Sequence, residues 1–327
     1  MQKDTYLLDS VPEIQFYLVE ITTACQLRCP GCKRTTERGK KNWSSNFMPL
    51  EKVKRVIDNM PPSNHVIFSG FGEVTLHPNL PDILSYANKS GKFRIIQINT
   101  NGLINDIDYF RMLIDCGLNY LMISVDSLDQ KILDASRTGT KAKHLETVLR
   151  GMADFRIPVI ASITVSKTNL DDLPNTLRRL NEIGKFTVGI REAGDLGLPD
   201  VMLDADDRVR LAKHLVSVMP LDNLRVDPPK SMMVQREVCV DPWNRPGINI
   251  KGELTPCCWT NDGSILGHLD ITSMTYEDAW FEQGHQNWLN GFREAYPENP
   301  CSGCPRNPNL WSSFWTGKDF VLYRTLK

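Results

Sequence analysis

Three cysteines near the start of the chain have the spacing of ligands to an iron–sulfur cluster. Cys25, Cys29 and Cys32 lie in the run Thr-Ala-Cys-Gln-Leu-Arg-Cys-Pro-Gly-Cys, directly after the apolar, strand-like segment Phe16–Thr22. Three thiolates can hold three irons of a [4Fe–4S] cluster and leave the fourth iron open to a small molecule. Zinc, the alternative metal, normally takes four ligands in a closed structural site, and the local fourth ligand is missing. The spacing therefore favours a cluster that takes part in chemistry.

The composition is that of an ordinary globular protein. The 327 residues are 41% hydrophobic and 24% charged, which is enough apolar material for a core. A net charge of −1 gives no electrostatic basis for binding nucleic acid or an anionic membrane. No apolar run reaches the roughly 18 residues of a membrane span, and no secretion signal is visible at the start. We therefore expect a cytoplasmic protein whose cysteines are metal ligands and not disulfides.

The first two-thirds of the chain alternates short β-branched runs with amphipathic stretches, which is typical of βα units on a parallel sheet. The predicted strands are Phe16–Thr22, His65–Ser69, Arg94–Thr100, Tyr120–Val125, Val159–Thr164 and Thr187–Ile190. The predicted helices are Leu50–Met60, Leu80–Lys89, Ile107–Cys116, Leu128–Ser136, His144–Phe155, Leu173–Ile183 and a last one near Ala205–Ser217.

Six such repeats are too few to close an eight-stranded barrel, so the pattern predicts an α/β fold with a partial, TIM-like (β/α)6 barrel. We expect this barrel to span residues 14–226, with a boundary near Leu224–Met232, where Asp227-Pro228-Pro229 interrupts the pattern. A small loop-rich, cysteine-rich domain over residues 233–310 and a tail over 311–327 complete the prediction. Functional groups of such barrels collect at the carboxyl ends of the strands.

Four of the predicted strands end in groups that suit a ligand. Strand two is followed by Ser-Gly-Phe-Gly-Glu, in which the two glycines permit close backbone approach to a ligand and Glu73 offers a carboxylate. Strand three ends in a polar Asn-Thr-Asn-Gly turn that begins at Asn99, and strand four ends in Ser-Val-Asp-Ser. The last serine and aspartate could instead cap the following helix. Strand six ends in Val-Gly-Ile-Arg-Glu.

The three cysteines and the strand-end motifs together resemble the radical S-adenosylmethionine (radical SAM) enzymes. The resemblance implies that the open iron chelates the amine and carboxylate of S-adenosylmethionine. It also implies contacts to that cofactor from the residues that match the family's motifs: Gly70, Gly72, Glu73, Asn99, Ser124, Asp126, Gly189 and Ile190. Two positions depart from the family pattern. Gly31 stands where an aromatic residue usually precedes the third cysteine, and Phe71 separates the two glycines.

The second half of the chain resembles the auxiliary-cluster extension called SPASM, in its shortened twitch form. Cys239 is followed after twelve residues by Gly252, then Glu-Leu-Thr-Pro and Cys257, and later by Cys301 and Cys304. These four cysteines are expected to hold a second [4Fe–4S] cluster, with a structural zinc as the alternative. Cys258, next to a ligand, is a candidate hydrogen-atom donor to a substrate radical.

Three further features are expected to be structural or only weakly functional. Cys116 and the tryptophans of the last third are expected in the core, although the tryptophans could also form a wall for a sugar or peptide. The loop Lys33–Lys41 carries five basic residues and either steers an anionic or hydroxylated substrate or is simply solvated.

The resemblance implies reductive cleavage of S-adenosylmethionine followed by hydrogen abstraction from a C–H bond. The expected substrate is a small polar, sugar- or aminosugar-like natural product, with dehydrogenation or epimerisation as the outcome. The short segment before Cys25 leaves little room for a domain that binds a leader peptide, so a peptide-modifying maturase is the alternative. A non-catalytic iron–sulfur carrier or a zinc-stabilised binding protein is a further alternative of a different class. An external one-electron reductant, such as a flavodoxin- or ferredoxin-like protein, is the expected partner.

Overall fold

A computed structural model describes residues 10–37, 44–104, 106–194, 199–229, 239, 241–258, 260–291, 301 and 304. Its described strands form one twisted sheet in the order β7-β6-β5-β4-β3-β2-β1-β8-β9. The first seven strands run parallel to their neighbours, β8 is parallel to β1, and β9 is antiparallel to β8. The strand bounds are β1 Phe16–Val19, β2 Ser63–Phe68, β3 Phe93–Thr100, β4 Tyr120–Ser124, β5 Val159–Val165, β6 Phe186–Glu192, β7 Leu224–Asp227, β8 Gly247–Ile248 and β9 Leu254–Thr255.

Most of the described helices connect the parallel strands and cover one face of the sheet. Their bounds are α1 Lys33–Glu37, α2 Leu50–Asn59, α3 Leu80–Lys89, α4 Ile107–Asp115, α5 Gln130–Ser136, α6 Ala142–Met152, α7 Leu173–Ile183, α8 Ala205–Val218, α9 Asp241–Asn244, α10 Tyr276–Phe281 and α11 Gln283–Gly291. In α7 the buried Leu173, Leu177 and Leu180 recur at the i, i+4, i+7 spacing of a helix with one apolar face.

The core lies between the strands and these helices. Val19, Phe68 and Ile98 are fully buried on the helix side of the sheet. The residues that alternate with them in the strands, such as Leu18, Ile67 and Asn99, are only half-buried. Since successive side chains of a strand point to opposite faces, the second face lines the open interior of the partial barrel.

The expected fold is confirmed, with the first six strands at the predicted places. The structure corrects two details. Leu224–Asp227, where a boundary was expected, forms a seventh strand that pairs in parallel with β6. The second half, expected to be loop-rich, contains α9, α10 and α11 and two strands that extend the barrel sheet through β1. No helix of the described residues is long and apolar enough to cross a membrane.

Candidate active site

The loop that carries the three cysteines begins immediately after β1, and hydrogen bonds hold both of its ends. Thr22 forms an isolated bridge to Phe47. The buried guanidinium of Arg34 donates from Nε to the Thr23 carbonyl at 3.0 Å and from Nη1 to the Leu27 carbonyl at 3.1 Å. These bonds join the two ends of the loop, so Arg34 fixes the path of the backbone around Cys25.

The three thiols lie in a half-buried environment with two cations, Arg34 and Arg137, beside them. Burial raises the pKa of all three thiols, that of Cys29 to about 11, while the charge of Arg137 opposes the rise at Cys29. Asn101 Nδ2 donates to Cys25 Sγ at 3.8 Å. Binding a cluster must therefore displace the thiol protons, as metal binding to cysteine generally does.

The described residues contain no group of three His, Cys, Asp or Glu side chains that converges on a single metal ion. Each thiol of a cubane cluster binds a different iron, so Cys25, Cys29 and Cys32 need not point at one position. The set of three thiolates on one short loop, near Arg137 and Asn101, fits a three-cysteine cluster site.

The glycine-rich loop after β2 lies directly against the start of the cysteine loop. A Cβ on Gly72 would come within 2.1 Å of the Thr22 carbonyl oxygen, so only glycine permits this approach. The Glu73 amide donates to the Ala24 carbonyl at 2.7 Å. The predicted motif therefore holds the cysteine loop in place by its backbone.

The carboxylate of Glu73 is already engaged by protein donors. Oε1 accepts from the Thr75 and Thr100 hydroxyls at 2.6 and 2.7 Å, and Oε2 accepts from the Asn101 amide at 2.7 Å. Glu73 is 3% exposed. It therefore joins the loop after β2 to the end of β3, and Oε2 retains capacity to accept one more donor.

The ends of β3 and β4 present the next predicted residues. Asn99 is half-buried and donates to the Ser69 hydroxyl at 3.0 Å. Ser124 is half-buried at the end of β4, opposite Ser162 of β5.

Asp126 has a left-handed backbone (φ 56°), and its Oδ1 accepts from the Thr164 amide at 2.7 Å. Asp126 thus stays attached to β5, and it does not cap the helix that follows, since Asp129 does.

At the end of β6 the backbone and side chains have different environments. Gly189 is half-buried, and a Cβ there would meet only Ile160 at 3.5 Å. Ile190 is 3% exposed and belongs to the apolar core. Only the backbone of Ile190 is therefore available to a ligand. Arg191 follows. Desolvation of its guanidinium lowers its pKa, and the nearby Cys258 thiol opposes this shift.

Three of the four predicted auxiliary ligands lie near one another. Burial raises the pKa of Cys301 to about 12, and the neighbouring Cys239 thiol adds to the rise. The Cys304 amide donates to the Cys301 carbonyl at 3.2 Å. Cys257 is buried in the turn that follows β9. A set of four thiols would suit an iron–sulfur cluster or zinc.

A cavity of roughly 230 Å³ lies where the barrel meets the C-terminal strands. Its walls come from the ends of β1 and β2, from β8 and from the segment after β9. They include Glu20, Phe71, Asn249 and Cys258. Cys258 therefore lines this cavity. A thiol that donates a hydrogen atom to a substrate radical must lie beside the substrate in this way.

Sequence reasoning missed Glu20, Asn101 and Arg137. Glu20 was visible only as a charged residue within an otherwise apolar strand segment, and it is 1% exposed. Asn101 was part of the polar turn already noted. Arg137 lies after α5, and nothing in its local sequence indicates that it pairs with Asp126 at 3.0 Å.

The remaining predictions have mixed outcomes. Trp243 and Trp280 are buried, as expected, and Trp259, Trp311 and Trp315 lie outside the described residues. Cys116 is only partly buried and packs at the margin of the core, with Sγ 3.9 Å from Met112 Sδ. The basic segment expected to be a loop begins as helix α1, and Lys33 Nζ lies 5.9 Å from the centre of the Phe71 ring.

Two family models match two successive parts of the chain. Residues 19–180 match the radical SAM superfamily, and residues 239–305 match an iron–sulfur cluster-binding domain, SPASM. The chain therefore belongs to the radical SAM superfamily and carries a SPASM domain. It is an enzyme with a [4Fe–4S] cluster that binds S-adenosylmethionine and with an auxiliary cluster.

Individual relatives are similar to it over different lengths. A 7,8-dihydro-6-hydroxymethylpterin dimethyltransferase of Methanocaldococcus jannaschii is 30% identical over 35% of this chain, a match that spans only 22% of that relative. A PqqA peptide cyclase of Bradyrhizobium diazoefficiens is 23% identical over 88% of this chain and 77% of its own.

Among solved structures, Streptococcus suis SuiB resembles the fold. The structure bound to S-adenosylmethionine has a TM-score of 0.67 at 13% identity and covers 90% of this chain and 72% of SuiB. The structure bound to the precursor peptide SuiA has a TM-score of 0.68 at 12% identity, with 92% and 71% covered. At this identity the likeness shows the fold alone.

Proposed function

We propose that this enzyme cleaves S-adenosylmethionine reductively and uses the resulting radical to modify a C–H bond of a peptide. The observation that carries the proposal is the position of the cavity between the two cluster domains. It opens between the loop after β2, which holds the cysteine loop, and the segment with Cys258, which adjoins Cys257. A substrate there would lie between both cluster sites.

Each group at the carboxyl ends of the barrel strands has a distinct role in this proposal. The Cys25, Cys29 and Cys32 thiolates would hold the cluster, with Arg137 placing positive charge beside Cys29. When bound, the cluster supplies the electron that breaks a carbon–sulfur bond of S-adenosylmethionine. Gly72 permits the close packing of the two loops, and Ser124, Asp126 and the Gly189–Ile190 backbone would contact the cofactor.

The peptide substrate is supported by PqqA peptide cyclases that match along most of both chains. The sequence analysis favoured a small sugar-like substrate, and no described feature of the cavity singles out a sugar. The PqqA peptide cyclase matches through both domains, so the alternative of a peptide-modifying enzyme is the better supported one. Cys239, Cys257, Cys301 and Cys304 are the proposed ligands of the auxiliary cluster, and a flavodoxin- or ferredoxin-like protein is the proposed reductant.

The test uses anaerobically reconstituted enzyme with S-adenosylmethionine, a reductant and cell extract in D2O. The extract is separated into a peptide fraction and a small-metabolite fraction, and mass spectrometry follows 5′-deoxyadenosine and every changed mass. We expect a peptide to lose two hydrogens or to gain one deuterium, in step with 5′-deoxyadenosine. A change confined to the small-metabolite fraction would overturn the peptide proposal.

The same experiment assigns the role of Cys258. A peptide that gains one deuterium would indicate hydrogen return from an exchangeable donor, and the Cys258→Ala variant should then lose this product. If Cys258→Ala still transfers deuterium, the thiol is not the donor. A product that has lost two hydrogens instead indicates oxidation, which does not need this thiol.

A further inference from the structure

Glu20 is a buried carboxyl group with one oxygen fixed and the other unpartnered. It follows β1 directly and is 1% exposed. Oε1 accepts the Phe71 amide at 2.7 Å. No hydrogen bond of normal geometry from the described residues reaches Oε2. A buried acceptor without a donor costs about 1–3 kcal/mol, so this oxygen is suited to receive a donor from a ligand.

The unpartnered oxygen belongs to a cavity that a ligand can enter. Glu20 lines the cavity of roughly 230 Å³ together with Cys258 and Asn261. Burial raises the pKa of Glu20. The Phe71 amide, the backbone amide of Ile250 and the Asn261 side chain, the last two outside normal hydrogen-bond geometry to Oε2, favour the ionised form, as does the charge of Lys33. Glu20 therefore places a hydrogen-bond acceptor in the same space as the proposed hydrogen donor.

The position of the carboxyl group is fixed by its neighbours. A Cβ on Gly70 would come within 2.4 Å of Glu20 Cγ and 2.5 Å of Oε1, so the glycine backbone packs directly against this side chain. The Phe71 amide holds Oε1 from the next residue. An acceptor held in this way loses little entropy when a ligand binds.

We propose that Glu20 Oε2 anchors the substrate by accepting a hydrogen bond from one of its N–H groups, a peptide amide or an ammonium, beside Cys258. This inference rests on the proposed function, because it places the peptide in the cavity. A hydrogen bond to an ionised acceptor contributes about 1.5–3 kcal/mol. Burial raises the pKa of Glu20 to about 7, and an N–H donor at Oε2 stabilises the charged form.

The experiment compares wild type with Glu20→Gln in the 5′-deoxyadenosine assay. Glutamine keeps the size of the side chain and can keep its oxygen on the Phe71 amide, but it presents an NH2 group where Oε2 was. We measure the background rate without extract and the amount of peptide fraction that gives half-maximal stimulation. The charge-matched control is Glu146→Gln, on the outer helix α6.

We expect Glu20→Gln to need about tenfold more peptide fraction for the same stimulation over its own background rate, equivalent to about 1.4 kcal/mol. The control should behave as wild type. Equal stimulation of wild type and Glu20→Gln would overturn the anchor while leaving the proposed function intact.

The outcomes for the two proposals are distinguishable. Stimulation of wild type by the small-metabolite fraction alone would overturn the peptide substrate, and a tenfold loss in Glu20→Gln would then still support an N–H anchor. If neither fraction stimulates wild type, both proposals fail. If Glu20→Gln does not fold, Glu20→Asp replaces it. Aspartate keeps the charge, but its shorter side chain moves the oxygen back by one methylene. Unchanged stimulation in Glu20→Asp contradicts the anchor.

Discussion

Arg137 Nη1 donates a hydrogen bond to Asp126 Oδ2 at 3.0 Å, and the same guanidinium lies beside the Cys29 thiol. The Arg137 and Asp126 side chains are only 11% and 10% exposed. The end of β4 is thereby joined electrostatically to the cysteine loop. One buried cation serves both the carboxylate and the thiol that must ionise to bind iron.

Removal of this cation should affect both stability and cluster content. In Arg137→Ala the buried Asp126 carboxylate loses its partner, which typically costs about 3–5 kcal/mol. Cys29 also loses the charge that favours its thiolate. We expect a lower melting temperature and less iron per chain, measured by thermal unfolding and iron analysis.

Arg137→Lys is the matched control, because lysine keeps the charge but not the planar guanidinium. It should lie between wild type and Arg137→Ala in both measurements. Iron content and melting temperature equal to wild type in Arg137→Ala would show that the pair does not support the cluster site.

The close contact between the glycine loop and the cysteine loop gives a second prediction. A methyl group in Gly72→Ala would collide with the Thr22 carbonyl oxygen at 2.1 Å, so one of the two loops must move. We expect 5′-deoxyadenosine formation to fall by about tenfold or more, which corresponds to about 1.4 kcal/mol of transition-state stabilisation.

Gly31 offers a control in the same site. A Cβ there meets no atom within 4 Å, so Gly31→Ala should leave the rate of 5′-deoxyadenosine formation near that of wild type. If both alanine variants had the same rate, the contact at Gly72 would not matter for cofactor binding.

The raised pKa of Glu20 predicts a pH dependence of stability. An unfolded glutamate titrates near 4.5, whereas burial raises the pKa of Glu20 in the folded chain to about 7. Between these values the folded state holds a proton that the unfolded state has lost, so stability falls as the pH rises. Above about pH 7 the full cost, on the order of 3 kcal/mol, is present.

Glu20→Gln removes this titration. Its melting temperature relative to wild type should therefore increase between about pH 5.5 and pH 8, measured on the cluster-loaded protein. Glu146→Gln should differ from wild type by a constant amount over this range, because hydrogen bonds from Arg150 and Arg179 hold the pKa of Glu146 below its ordinary value of 4.5, so its carboxyl is ionised throughout. A pH-independent difference between wild type and Glu20→Gln would contradict the raised pKa.

The barrel strands could be predicted because each is a short β-branched run between helical repeats. Leu224–Asp227 was missed because this strand is only four residues long, is partly charged and is followed by two prolines. Its pairing with β6 depends on the sheet that the preceding strands have already formed.

Site residues could be predicted where they belong to a short local motif. They were missed where their partners are distant in the sequence. The cysteines and Gly72 occur in short runs whose spacing alone carries information. Glu73 was expected to contact the cofactor, but its hydrogen bonds to Thr100 and the Asn101 amide arise only when β2 and β3 lie side by side. Glu20 and Arg137 likewise acquire their environments from tertiary packing.

The central claim is that the three thiols of Cys25, Cys29 and Cys32 hold the cluster that cleaves S-adenosylmethionine. The most direct measurement is 5′-deoxyadenosine produced by anaerobically reconstituted protein with S-adenosylmethionine and a strong reductant, compared with Cys29→Ala. The Cys116→Ala variant is the control, because Cys116 lies at the margin of the core. The account predicts 5′-deoxyadenosine from wild type and Cys116→Ala and none from Cys29→Ala, with about half of the iron lost in Cys29→Ala. Undiminished cleavage by Cys29→Ala, or no cleavage by iron-loaded wild type, would contradict it.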